Sequence, residues 1–469
     1  MDHIDFKSKN GFEYQYLPDK KYITYNNERY SSKEYHHQKQ LFLHQHNMFN
    51  SKKPNLVTDY DVDIIKGNLA NLRMLLIEVT DDCNLACEYC GYGKLYNNYD
   101  RRHSKSIDFG KVKTLIDYLY TFWVSPMNVS FNNIITIGFY GGEPLMEMDI
   151  IRKTIDYIEQ LNLSSINFQY NMTTNGVLLD KHIDYLVEKN FSLLISLDGN
   201  KLHNSYRVTQ NGKESFELLH QNIKNIQSLY PGYYEDKVNF NSVLHNKNDA
   251  ESVIFYIKEE FGKTPRTAEL NPIGIADEKI EEFYTMFRNR DVSKMLITED
   301  NKLNEEVVVS SLEYTQLNYF YDAILSNSFD SYTDLFTSEE EKQFIPTGTC
   351  QPFHRKIFLT VNGKILPCER VGHNDPLGNI ENGDVKIDFE EVQQIYRQKY
   401  NQIIKQCSRC INWKNCTLCV FHIPQKSGRL ICDRFNPTAN TADYYGGCVS
   451  ILEEIPLLFN ELYKQVARF

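Results

Sequence analysis

Between residues 74 and 274 short apolar runs alternate with stretches of helical periodicity, an order that points to a parallel sheet with crossover helices. Six runs read as strands, at 74–79, 134–139, 166–172, 193–197, 238–244 and 268–273. Between them Val112, Leu115, Ile116 and Leu119 recur at helical spacing, as do Ile151, Ile155 and Ile158, and Phe216, Leu219, Ile223 and Ile226. Each such helix has one apolar stripe to lay against a sheet. The runs are strongly apolar rather than alternating, which predicts strands covered on both faces. Polar and glycine-rich segments fall just after the strands, the end at which barrel folds gather their chemistry.

The first of those segments is Thr80-Asp81-Asp82-Cys83-Asn84-Leu85-Ala86-Cys87-Glu88-Tyr89-Cys90, so three thiols converge in one loop past a buried strand. A structural zinc or a closed iron-sulfur site takes four protein ligands, whereas three leave one coordination position for something that is not protein. A zinc knuckle completed by a distant histidine is the competing reading. Eleven cysteines, an odd number in tight groups, read as metal ligands of a reducing cytoplasm rather than as disulfides.

The C-x3-C-x2-C spacing, with Tyr89 just before the last cysteine, resembles the signature of the radical S-adenosylmethionine (radical SAM) enzymes. The resemblance implies an α/β fold, a partial (β/α)6 barrel whose crossovers of one hand curl six strands into an incomplete barrel. It implies a four-iron, four-sulfur cluster on Cys83, Cys87 and Cys90, whose fourth iron takes the amino and carboxylate groups of S-adenosylmethionine. One-electron cleavage of the sulfonium then yields a 5'-deoxyadenosyl radical that abstracts hydrogen from a substrate. The protein holds, orients and shields these groups.

Further segments resemble those of the family. Gly141-Gly142-Glu143 follows the second run, Thr173-Thr174-Asn175-Gly176 the third, and Ser196-Leu197-Asp198-Gly199 the fourth, with Arg207 beyond His203. The implied contacts to S-adenosylmethionine are Tyr89, Gly141, Gly142, Glu143, Thr174, Ser196, Arg207 and Asn241. Two glycines let backbone approach a ligand, Glu143 accepts from the ammonium, and Ser196 and Arg207 lie near the carboxylate. Asn-Gly and Asp-Gly are also ordinary turn formers. Asn241, polar inside an apolar strand, either braces the barrel or faces the cofactor cavity.

The other eight cysteines lie near the far end: Cys350, Cys368, Cys407, Cys410, Cys416, Cys419, Cys432 and Cys448. Their spacing resembles the SPASM domain, departing from it where two residues rather than three separate Cys416 from Cys419. The resemblance implies two auxiliary four-iron, four-sulfur clusters, one served by Cys350, Cys368 and Cys419 and the other by Cys407, Cys410 and Cys416. Cys432 and Cys448 complete them in an order left open. A pair of zinc sites is the alternative, since C-x2-C pairs suit zinc equally.

The expected organisation is an N-terminal α+β segment over 1–72, the barrel over 73–275, a helical bridge over 276–345, the SPASM domain over 346–450 and a closing helix over 451–469. The N-terminal segment reads as a hairpin and a helix, and as a possible peptide-recognition module of winged-helix type. A net charge of -11 argues against broad nucleic-acid binding, and no apolar stretch is long enough to span a bilayer, which predicts a cytoplasmic protein. The whole layout resembles radical SAM peptide maturases. That implies a precursor-peptide substrate, cross-linked through carbon, oxygen or sulfur, and an external electron donor of flavodoxin or ferredoxin type. An anaerobic sulfatase maturase forming formylglycine, and a silent electron-transfer or peptide-binding protein, are the alternatives.

Overall fold

The computed structural model describes residues 4–9, 11, 13–17, 22–25, 55–59, 61–130, 133–163, 166–295, 297, 317, 343–347, 351–411, 413, 416, 418–426, 428–437 and 441–454. The chain divides into two compact units, one of Met1–Thr58, Thr298–Thr349 and Gln398–Phe469, the other of Asp59–Ile297 and Cys350–Arg397.

In the first unit, β1 (Ile4–Lys7), β2 (Glu13–Leu17) and β3 (Tyr22–Tyr25) form an antiparallel sheet. The expected hairpin is present with one further strand; the expected helix after it and the histidines it carries lie outside the described residues. Phe6 of β1 packs with Leu317, Tyr445, Cys448 and Val449, which joins the sheet to the helix Thr441–Glu454.

The second unit is built on a ten-stranded sheet. Its six parallel strands are β4 (Met74–Thr80), β5 (Ile134–Gly141), β6 (Asn167–Thr174), β7 (Ser192–Ser196), β8 (Val238–Leu244) and β9 (Arg266–Glu269), lying side by side in chain order. That sequential order is the α/β barrel arrangement the apolar runs predicted, as opposed to one that reverses at a switch point. The crossover helices are α1 (Phe109–Trp123), α2 (Met148–Gln160), α3 (Leu179–Glu188), α4 (Phe216–Leu229) and α5 (Ala250–Phe261). Their stripes are buried where periodicity placed them: Val112, Leu115, Ile116 and Leu119 on α1, and Leu219, Ile223 and Ile226 on α4.

Two features depart from the sequence reading. The far edge of β4 is taken by a seventh parallel strand, β10 (Lys356–Leu359), which leads into the antiparallel strands β11 (Lys364–Leu366), β12 (Gly378–Glu381) and β13 (Asp384–Lys386). The hairpins after Cys350 therefore extend the barrel sheet. The strands also alternate more than expected: β6 and β8 bury every second residue and leave Asn171, Thr173, Asn241 and Val243 half-buried on the other face. One face is thus fully buried, while the other keeps partial exposure.

Candidate active site

The cysteine loop leaves the C-terminal end of β4 and is tied down at both sides. Ala86 N–H donates to the Val208 carbonyl at 2.7 Å and Glu88 N–H to that of Tyr206 at 3.1 Å, while Gln210 Nε2 donates to the Cys83 and Leu85 carbonyls at 2.8 and 3.1 Å. Cys83, Cys87 and Cys90 are half-buried thiols outside any disulfide. Burial pushes the Cys83 thiol up to about 11 and that of Cys87 to about 12; Glu143 and Cys90 add to the shift at Cys83, and Cys90 and Cys83 to that at Cys87. Arg102 works against this at Cys83 and Arg207 at Cys87, so positive charge is already placed to favour thiolates.

Gly141 and Gly142 end β5 against this loop. A Cβ on Gly142 would stand 1.7 Å from the Asp82 carbonyl oxygen, and one on Gly141, at φ +130°, 2.1 Å from that of Thr80. In place of those clashes Gly142 N–H donates to Thr80 O and Glu143 N–H to Asp82 O, each at 2.9 Å. The glycines thus serve the approach of backbone to the cysteine loop. Glu143 is fully buried: Oε1 accepts from Leu145 N–H at 3.1 Å and from the Thr174 hydroxyl at 2.7 Å, and Oε2 from Asn175 N–H at 2.7 Å. Burial lifts its carboxyl to about 7 against the pull of those donors. A carboxylate has about four acceptor sites, and three of those of Glu143 are filled by these donors.

Arg207 is placed differently from the sequence reading. Its Nε and Nη2 donate side by side to Asp198, each at 3.0 Å, with both side chains buried. That edge of the guanidinium is occupied by a protein carboxylate, not open to the methionine carboxylate of a cofactor. The Tyr89 hydroxyl also donates to Asp198, as does Val243 N–H at 2.9 Å, with His245 Nε2 3.8 Å away. Burial works to raise the Asp198 carboxyl, and Arg207 first among its neighbours outweighs this and holds it well below the usual range. Tyr89 is itself packed among Leu95, Tyr206, Leu270, Phe283 and Met286. Ser196, at the end of β7, lies in register with Asn241 of β8.

Of the C-terminal cysteines, Cys350 lies outside the described residues. Cys368 is half-buried beyond β11, and Tyr99 lies within electrostatic reach of both Cys368 and Cys90. In the first unit, burial and then Cys416, Cys432 and Cys410 push the Cys407 thiol up to about 12, so these four sulfurs are neighbours. Cys419 begins the short turn Val420–His422. Cys448 stands apart from the role given it by sequence. It is 2% exposed in the apolar core with Phe6 and Val449, its thiol pushed up to about 12 by burial.

The profile described as the radical SAM superfamily matches residues 77–256. A cysteine-type anaerobic sulfatase-maturating enzyme of Clostridium novyi is 34% identical over 308 residues, covering 64% of this chain and 74% of that protein. The chain belongs to the radical SAM superfamily. The radical SAM cyclopropyl synthase TigE of Paramaledivibacter caminithermalis is 22% identical over 369 residues, 77% of this chain and 70% of that protein. Among solved structures, native anSMEcpe with bound AdoMet shares the fold at TM-score 0.52 and 18% identity, over 84% of this chain and 99% of that one.

This radical SAM protein is accordingly an enzyme, and its family binds S-adenosylmethionine and a four-iron, four-sulfur cluster, with a substrate and a reductant. The donor set fits such a cluster. Three half-buried thiols share one loop outside any disulfide, and in a cluster each thiolate binds its own iron. No helix among the described residues is long and apolar enough to cross a membrane. Sequence reasoning passed over Asp198, read as a turn residue, and Glu78, whose lone charge inside an apolar run was the available signal.

Proposed function

We propose that this radical SAM enzyme is a peptide maturase. It takes hydrogen from a ribosomally made precursor peptide and closes the resulting carbon radical onto a neighbouring group as a carbon-carbon, carbon-oxygen or thioether cross-link. The observation that carries this is a second gathering of thiols, Cys407, Cys410, Cys416 and Cys432, in a chain whose barrel already presents Cys83, Cys87 and Cys90. Four thiolates suit a closed auxiliary cluster. In this reading Cys432 completes that set, Cys350, Cys368 and Cys419 serve a second auxiliary cluster, and Cys448 is a core residue.

When bound, these groups supply one-electron chemistry: cleavage of S-adenosylmethionine, removal of one hydrogen atom from the substrate and acceptance of the second electron. The chain's own residues do the rest. Gln210, Val208 and Tyr206 fix the cysteine loop, Glu143 keeps an acceptor site for the methionine ammonium, and Asp198 holds Tyr89 and Arg207 against the loop. Ser196 and Thr174 end their strands, where the cofactor would lie, and Asn241 pairs in register with Ser196. An external donor of flavodoxin or ferredoxin type in the cytoplasm would supply the electrons. Similarity to a cyclopropyl synthase supports bond formation within a substrate. Similarity to sulfatase-maturating enzymes supports a second reading, oxidation of a cysteine or serine to formylglycine.

Coexpression with the short reading frame nearest the coding region, followed by mass analysis, separates them. Cross-linking removes two hydrogens per event and leaves no aldehyde. A product trapped by a hydrazide reagent would replace the first reading with the second.

A further inference from the structure

Beside the cysteine loop, in the same unit, a narrow cleft is lined by Glu78, Tyr92, Asp100, Arg102 and His373, among others, and opens past the exposed Arg101 and Asn362. Its acidic groups are already engaged. Asp81 accepts from the backbone N–H groups of His103 at 3.0 Å and Lys105 at 2.6 Å. Asp100 accepts from Lys364 Nζ at 2.7 Å and Asn362 Nδ2 at 3.0 Å, and Glu78 accepts from Val361 N–H at 2.9 Å.

The donors are not engaged. Arg102 Nε and Nη2, the Tyr92 hydroxyl and His373 Nε2 are shielded from solvent and meet no protein partner. His373 is 3% exposed, and its Nδ1 meets both the Asp100 N–H at 3.3 Å and Asp100 Oδ2 at 3.5 Å, which leaves Nε2 to face the cleft. Burial lowers the affinity of that ring for a second proton. Arg102 is held with its guanidinium 4.3 Å from the centre of the Tyr92 ring. Nε and Nη2 form the same edge with which Arg207 grips Asp198 through two 3.0 Å bonds. An unmet fork of this kind matches a carboxylate, whose two oxygens take both bonds at once.

We propose that Arg102, with His373 and Tyr92, forms a subsite for a carboxylate of the substrate. The free space of the cleft is about 10 Å³, close to that of one water, so only the tip of a carboxylate enters without side-chain movement. Glu78, raised to about 7 by burial, takes up a proton readily beside such an anion and becomes a further donor. The source of the carboxylate, an acidic side chain or a peptide C-terminus, rests on the peptide reading above.

Calorimetry on the anaerobic, iron-loaded enzyme with S-adenosylmethionine tests this. The probes are N-acetyl-aspartate methylamide against its asparagine counterpart, N-acetylglycine against N-acetylglycinamide, and succinate. The acid of one peptide pair should bind at least about tenfold tighter than its amide, as charge-assisted bonds allow, and both Arg102→Gln and Arg102→Lys should remove the preference. Preference in the aspartate pair assigns a side chain, and preference in the glycine pair a C-terminus. Succinate bound through Arg102 while neither peptide pair discriminates keeps the subsite and removes the peptide reading. Equal binding of acids and amides together with no binding of succinate through Arg102, or an Arg102→Gln variant that loses affinity for S-adenosylmethionine instead, overturns the proposal.

Discussion

At the scale of single residues, two buried carboxyls behave in opposite ways because of what stands beside them. Asp198 has the Arg207 fork and stays ionised, while Glu78 has one backbone donor and is lifted from 4.5 to about 7. Between those two pH values the folded protein holds a proton on Glu78 that the unfolded chain has released. Its contribution is therefore fully present below about pH 4.5 and is lost as pH rises through 7. Glu78→Gln should stabilise the protein at pH 8 by on the order of 3 kcal/mol, since each pKa unit is about 1.4 kcal/mol, and by little at pH 4.5. Denaturant unfolding at both values checks this, and an equal gain at both would contradict it. Asp198→Asn has the reverse character, because it leaves the buried Arg207 without its partner. Destabilisation of about 3–5 kcal/mol is expected, with loss of the fixed position of Tyr89. A change under 1 kcal/mol would show that water replaces the carboxylate there.

At the scale of elements, the β5 end and the cysteine loop are one structure. Gly142→Ala puts a methyl where the Asp82 carbonyl oxygen lies, a backbone obstacle that no side-chain rotation relieves. On the three-cluster reading proposed above, the variant should keep its C-terminal iron and lose about a third of the total, about four of twelve atoms, read by iron analysis and by the electron paramagnetic resonance of the reduced protein. Full iron content would mean the loop shifts freely. The elements themselves were legible because helix stripes such as Val112, Leu115, Ile116 and Leu119 are set by local periodicity. The β10 to β13 extension was not, since a strand of four residues, Lys356–Leu359, gains its place only by pairing with β4 far away in sequence. The same limit applied to the site. Cys83, Cys87 and Cys90 were readable because one loop carries all three, whereas the choice of Asp198 as partner for Arg207 depends on how the segment after β7 folds back on itself.

At the scale of the whole molecule, the chain carries two separate groups of thiols, and the functions of the two can be divided by experiment. Replacing Cys83, Cys87 and Cys90 by alanine removes every thiol of the barrel loop and touches none of the Cys407 group. Iron should fall from about twelve to about eight atoms and cleavage of S-adenosylmethionine under a strong reductant should stop. Replacing Cys407, Cys410, Cys416 and Cys432 should remove about four irons while S-adenosylmethionine is still cleaved, with no modified peptide formed. Cys448→Ala, by contrast, removes a sulfur from an apolar core shared with Phe6 and Tyr445. It should lower stability by about 1–2 kcal/mol and leave iron content unchanged. Loss of iron on that single replacement would return Cys448 to the ligands and leave Cys432 to the other cluster. Because Cys432 is already a neighbour of Cys410 and Cys416, the first outcome is expected.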